Sequence, residues 1–141
     1  MTVAAVIERD GRFLMVSEDG DGELVVNQPA GHWEPGETLA EACVRETLEE
    51  SAFRFVPEAL VGVYRWTAPT SGTTFLRFAF CGRIEGKDAG RSLDPDIRGT
   101  LWMSPQELRS PAARTRSPLV LLCVEDYLAG KRYALDLLTH L

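Results

Sequence analysis

At 141 residues, 45% hydrophobic and 26% charged, the chain has the size and balance of one soluble globular domain, and residues 1–141 are read as that single domain. A net charge of −6 and a sequence pI near 4.9 argue against a nucleic-acid polymer or an anionic membrane as partner. No apolar run approaches the roughly 20 residues of a membrane span, and "MTVAAVIERDGRF" lacks the basic segment of a secretory leader.

In chain order, residues 2–7 and 12–17 are apolar or β-branched runs around "ERDG", which reads as a β-hairpin. "EDGDGE" is a polar, glycine-containing turn, and a short strand starts at Leu24 to Val26. The loop "NQPAGHWEPGE" leads into a helix over about 39–50. Its start is marked by Thr38 and Glu41, spaced as a capping box, and Pro35-Gly36 block any extension upstream.

Further on, residues 60–66 read as a strand, "TSGTT" as a turn, and residues 74–84 as an interior strand with apolar residues on both faces. Residues 85–99, rich in Gly, Asp and Pro, read as exposed loop, and "LWM" as a last short strand. Two helices follow, capped by Ser104 and Ser117, each with proline in its first turn, and Gly130 lies past the end of the second. The order of elements predicts an α/β fold, a mixed sheet covered by helices on both faces. Cys43, Cys81 and Cys123 lie far apart among apolar neighbours, as expected of buried, reduced thiols in a cytoplasmic protein.

The helix over 39–50 carries the chemical signal. With Leu39 at zero and about 100° per residue, Glu46, Glu49 and Glu50 share an arc of about 100° with Leu39, Ala42 and Cys43. Glu41 and Arg45 point the other way, toward solvent. Three carboxylates on a largely apolar side repel one another, and one guanidinium cannot neutralise them. Two readings remain open on geometry alone: a solvated face laced by Arg45, or a site for a divalent cation such as Mg²⁺.

Gly31, Glu37, Arg45, Glu46, Glu49 and Glu50 stand in the register G-x5-E-x7-R-E-U-x-E-E-x-G-U, where U is aliphatic. This pattern resembles the signature of the Nudix family, hydrolases of a nucleoside diphosphate linked to another group. Thr47, Ala52 and Phe53 depart from it. An alanine in place of the closing glycine costs about 1 kcal/mol where the chain needs a left-handed turn. The resemblance implies an α/β/α sandwich with a mixed central sheet and Mg²⁺, with Mn²⁺ as substitute, held by Glu46, Glu49 and Glu50. It further implies Ala30 as a carbonyl ligand, Gly31 as a point of close backbone approach, Glu37 as a brace of the loop–helix junction, and Arg45 orienting the carboxylates.

"NQPAGH", "RWTAP", "FLRFAF", "RSPLV" and "GKRYALDLL" resemble a bacterial branch of Nudix phosphatases. That likeness implies terminal-phosphate removal from nucleoside tri- and diphosphates, and action on hydroxymethylpyrimidine pyrophosphate and thiamine pyrophosphate. ADP-ribose, a dinucleoside polyphosphate or an oxidised nucleotide would be alternative substrates, and a non-catalytic nucleotide-binding module a further alternative. Asp96 stands in a loop where related enzymes place another carboxylate, while Asp94, before Pro95, reads as turn chemistry. Arg77 is expected to meet a substrate phosphate or an internal carboxylate. Trp66 is expected to stack on a base or pack in the core. Asn27 and Gln28 are expected to bond a base edge or the loop backbone, and His32 to be structural. The partner is a small phosphorylated molecule, and the protein a monomer or homodimer.

Overall fold

The computed structural model describes residues 1–20 and 22–141. Among these residues, eight strands and three helices follow in chain order: β1 Thr2–Val6, β2 Glu8–Arg9, β3 Arg12–Asp19, β4 Leu24–Asn27, β5 Ala30–His32, α1 Leu39–Ser51, β6 Phe53–Thr67, β7 Thr74–Lys87, β8 Ile97–Met103, α2 Pro105–Arg109 and α3 Pro118–Leu128. Single 3₁₀ turns occupy Pro111–Ala113 and Leu135–Leu137. Asp21, within the expected turn after β3, lies outside the described residues, but Gly20 and Glu23 on either side exchange backbone hydrogen bonds of 2.7 and 3.2 Å.

One sheet has the order β5-β1-β7-β6 and is mixed: β1 runs parallel to β7 and antiparallel to β5, and β6 is antiparallel to β7. A second, antiparallel sheet places β2, β4 and β8 against β3. The hairpin expected from residues 2–7 and 12–17 therefore forms only at its tip, while Thr2–Val6 join the other sheet. Its turn, with Asp10 and Gly11 at φ of 52° and 78°, closes Glu8–Arg9 onto Arg12–Phe13, and Leu14 N–H donates to the Ile7 carbonyl at 3.0 Å. Val3, Ala4, Ala5 and Val6 are all buried. A strand apolar on both faces needs a neighbour on each edge, and β5 and β7 supply them.

Alternation along β1 builds two cores. Val3, Ala5 and Ile7 pack with Leu39, Ala42, Cys43, Phe55 and Phe80 under α1. Val6 and, from β7, Ala79 and Cys81 pack with Val120, Cys123 and Val124 of α3 on the opposite face. This is the α/β/α layering with a mixed central sheet. All three cysteines are buried and free, and among the described residues no helix is long and apolar enough to cross a membrane.

The strands run longer than expected. β6 starts at Phe53, directly after α1, and passes through Pro57 by shifting register at Phe53/Phe55, Pro57/Ala59 and Leu60/Gly62. Gly82 faces this irregular stretch, where a Cβ would overlap the Val56 carbonyl. β8 starts at Ile97, so the preceding loop is shorter than residues 85–99.

Helix ends behave as their sequence indicates. Thr38 accepts from Glu41 N–H while the Glu41 side chain accepts from Thr38 N–H, and Ser104 with Glu107 repeats the arrangement. Ala52 does adopt the left-handed conformation, φ 64°, that its family position calls for. The C-terminal segment returns to the first sheet: Tyr133 and Leu60 exchange two backbone hydrogen bonds of 2.8 Å. Leu135 and Leu138 then pack against the core under α1, and His140 Nε2 accepts from Leu39 N–H at 3.3 Å. Replacing Thr38 by alanine removes one capping acceptor and is expected to cost about 1 kcal/mol, measurable as a lower urea midpoint with an unchanged slope.

Candidate active site

β5 is the edge strand of the first sheet and lies beside α1, so the backbone of residues 30–32 faces the helix carboxylates. A Cβ on Gly31 would overlap the Glu46 carboxyl group, so what glycine admits at this position is Glu46. Ala30 N–H donates to Glu50 Oε1 at 2.9 Å. Carboxylate oxygens of Glu46, Glu49 and Asp94 lie within 4.8 Å of one another.

Asp94 is the acid that reading by turn chemistry missed. Its N–H donates to the Glu49 carbonyl at 3.0 Å, and Ile97 N–H donates to the Asp94 carbonyl at 2.9 Å. The residue thus joins the loop to the end of α1 as well as forming a turn. Asp96 lies apart from this trio: it is exposed and lines the cleft described below.

Arg45 does not point to solvent as its helical angle suggested. Its guanidinium folds back along α1 and donates to Glu37 at 2.8 and 3.0 Å, Glu46 at 2.9 Å, Glu49 at 3.2 Å and the His32 carbonyl at 2.9 Å. The long side chain reaches partners that its Cα direction does not indicate. Glu37 also accepts from Glu34 N–H at 3.0 Å, and its carbonyl accepts from Trp33 Nε1 at 2.7 Å. It braces the loop between β5 and α1.

A cleft of about 910 Å³ opens beside the carboxylates. Glu46, Glu50, Ala30, Gly31 and His32 line one end, and Asn27, Trp66, Phe75 and Arg77 line another part of the wall. Trp66 and Phe75 stack with ring centroids 5.9 Å apart. Gln28 is fully buried, donating to the Val120 carbonyl at 2.6 Å and accepting from Arg77 at 3.0 Å. It has no surface to offer a base edge, because the core has taken its amide. Arg77 accordingly meets neutral amides in place of an internal carboxylate, one of its two expected partners beside a substrate phosphate. Glu18, unnoticed in the sequence, lines the cleft and accepts from Asn27 Nδ2 at 3.3 Å. A smaller cavity of about 320 Å³, between β6 and Tyr133 and Leu137, has Asp126 and Lys131 in its wall and none of Glu46, Glu49, Glu50 or Asp94.

A model of the NUDIX domain family matches residues 1–123. The chain belongs to the Nudix family. Phosphatase NudJ of Escherichia coli (strain K12) is 39% identical over 138 residues, covering 98% of this chain and 89% of that protein. The same name and figures apply to the relative from Shigella flexneri. Among solved structures, a NUDIX hydrolase from Nitrosomonas europaea superposes with a TM-score of 0.95 at 50% identity, covering 99% of this chain and 95% of that one. An E. coli protein titled ORF135 superposes at 0.71 and 25% identity, over 91% and 87% of the two chains. As a Nudix hydrolase, the protein is an enzyme that cleaves phosphorus-containing acid anhydrides.

Burial sets the proton affinities of the Nudix helix. Glu50, buried at its carboxyl, has its pKa pushed up from 4.5 to about 8, with the Ala30 N–H opposing the shift and Glu18, Glu46 and Asp94 adding to it. Burial also raises Glu46 and Asp94, while the hydrogen bond from Arg45 lowers Glu37. For Glu50 the folded state holds its proton where the unfolded chain has lost it. Its stabilising effect is therefore complete below about pH 4.5 and is lost as pH rises through about 8. In chelator, thermal stability is expected to decline from pH 5 to 8. Glu50→Gln should flatten much of that decline, as read by calorimetry across the range.

Proposed function

We propose that this Nudix hydrolase is a Mg²⁺-dependent phosphohydrolase of small nucleotide-like substrates that releases terminal phosphate from nucleoside tri- and diphosphates. Hydroxymethylpyrimidine pyrophosphate and thiamine pyrophosphate belong to the same substrate set. The observation that carries the metal assignment is the convergence of Glu46, Glu49 and Asp94 oxygens within 4.8 Å beside a substrate-sized cleft. An all-oxygen, acidic set of donors fits a hard divalent cation. Arg45 supplies one positive charge but divides it among Glu37, Glu46 and Glu49, leaving the cluster with excess negative charge. The phosphatase reading draws further support from the name of the E. coli relative, Phosphatase NudJ.

In this reading Glu46, Glu49 and Asp94 hold the ion, with Glu50 and the Ala30 carbonyl at its margin. A divalent ion held there would offset phosphate charge and lower the pKa of a bound water. Arg45 keeps Glu46 and Glu49 turned to the same side of α1, and Glu37 keeps Arg45 in place. Gly31 lets Glu46 lie against the edge strand. The buried, free thiols suit a reducing compartment such as the cytoplasm, and the family match over 1–123 together with the packing of the tail suits one domain over 1–141.

Glu49→Gln keeps the shape of the helix and removes one charged donor. With Mg²⁺ and a nucleoside triphosphate, turnover is expected to fall at least about 100-fold, with the circular dichroism spectrum unchanged. Undiminished hydrolysis would remove Glu49 from the ligand set. Wild-type products decide the reaction: orthophosphate supports the proposal, whereas pyrophosphate and a nucleoside monophosphate assign cleavage to the inner anhydride.

A further inference from the structure

Among the described residues no carboxylate lies within ion-pair distance of Arg77; Glu18 is the nearest it meets, through the amide of Asn27. Arg77 is 6% exposed, yet it lines the cleft. Of the five N–H groups of a guanidinium, two are donated, to Gln28 Oε1 at 3.0 Å and to Asn27 Oδ1 at 3.3 Å, both neutral. Its Nε is the one fully buried side-chain nitrogen or oxygen without a hydrogen-bond partner among the described residues. A buried cation without a counter-charge destabilises a fold unless acceptors reach it.

The two amides have fixed orientations. A guanidinium only donates, and a carboxylate or peptide carbonyl only accepts. Asn27 therefore turns its oxygen to Arg77 and its nitrogen to Glu18, and Gln28 turns its nitrogen to the Val120 carbonyl. Between them they hold the guanidinium at the cleft wall without neutralising it.

Its position across the sheet indicates what it faces. His32, Thr2, Arg77 and Tyr64 form one row over β5, β1, β7 and β6. Arg77 thus stands two strand spacings, about 10 Å, from the edge that abuts Glu46. Phe75, two residues away on β7, shares its face and stacks with Trp66. The cleft therefore has carboxylates at one end, and a flat aromatic wall beside a donor at the other.

We propose that Arg77 is a specificity-determining residue for the organic half of the substrate. A planar heteroaromatic ring rests against Trp66 and Phe75 and presents a carbonyl oxygen or ring nitrogen to the Arg77 guanidinium. This rests on the phosphohydrolase reading and adds to it the residues that read the ring: Arg77 at its hydrogen-bond-accepting edge, with Trp66 and Phe75 against its face.

The test compares UTP with inorganic tripolyphosphate, which shares the phosphate chain and lacks the ring. For Arg77→Met and for Trp66→Ala, the ratio of kcat/KM for UTP over tripolyphosphate is expected to fall at least about tenfold, mainly through KM for UTP. An unchanged ratio, with both substrates losing equally, would overturn the proposal by assigning Arg77 to the phosphate chain or to folding. A binding measurement that needs no turnover runs in parallel: quenching of tryptophan fluorescence by uridine 5′-monophosphate, with ribose 5-phosphate as the ring-free control. Wild-type protein should prefer the uridine compound, and Arg77→Lys, the variant least disruptive to packing, should lose at least about tenfold of that preference. Equal quenching by the two compounds in the wild type would overturn the proposal. Absence of hydrolysis by the wild type would instead count against the phosphohydrolase reading, and the quenching result would stand independently of it.

Discussion

The Arg45 guanidinium holds the site together. Its planar fork grips both carboxylate oxygens of Glu37 through Nε and one Nη, crosses to Glu46 and Glu49 on its own helix, and takes the His32 carbonyl from the edge strand. One cation therefore fixes three pieces of chain relative to one another: β5, the loop after it, and the middle of α1. Lysine could not substitute, because a single ammonium cannot address so many acceptors in one plane. The pair with Glu37 is structural, and it is this pair that lets Arg45 stand beside Glu46 and Glu49 without neutralising them.

Around that hub the fold separates two jobs. α1 is anchored by the apolar residues Leu39, Ala42 and Cys43, which pack beneath it with Phe55 and Phe80. Its glutamates reach past the sheet edge at β5, where no further strand interrupts access to the cleft. β6 and β7 form the longest ladder and carry Trp66, Phe75 and Arg77 on the far part of the wall. Charge management is concentrated at one side of the sheet and aromatic surface at the other. A substrate with an anionic tail and a flat head matches that polarity.

Local chemistry was legible in the sequence, and long-range pairing was not. The Thr38–Glu41 and Ser104–Glu107 boxes act within four residues, so they read directly. The Nudix spacing named Glu46, Glu49 and Glu50; the first two converge with Asp94, while Glu50 turns to the Ala30 N–H. The partner of β1 was missed because a short apolar strand near a turn satisfies a hairpin as well as an interior position. The inward turn of Asp94 and the backward fold of Arg45 depend on neighbours distant in sequence or on side-chain length. Burial of Gln28 needed the knowledge that Val120, 92 residues later, passes over it. Ala52 is different in kind: the family position was read correctly, and the alanine adopts the left-handed turn despite its side chain.

The return of the C-terminal segment to α1 bears on how the chain acquires its activity. Leu135, Leu138 and His140 meet a helix that begins 101 residues before the last of them. Contacts so remote close a long loop and come late in folding. A growing polypeptide on the ribosome can assemble its strands and glutamate helix while the underside of that helix is still open to water. The helix gains that cover only once residues 135–140 have joined it.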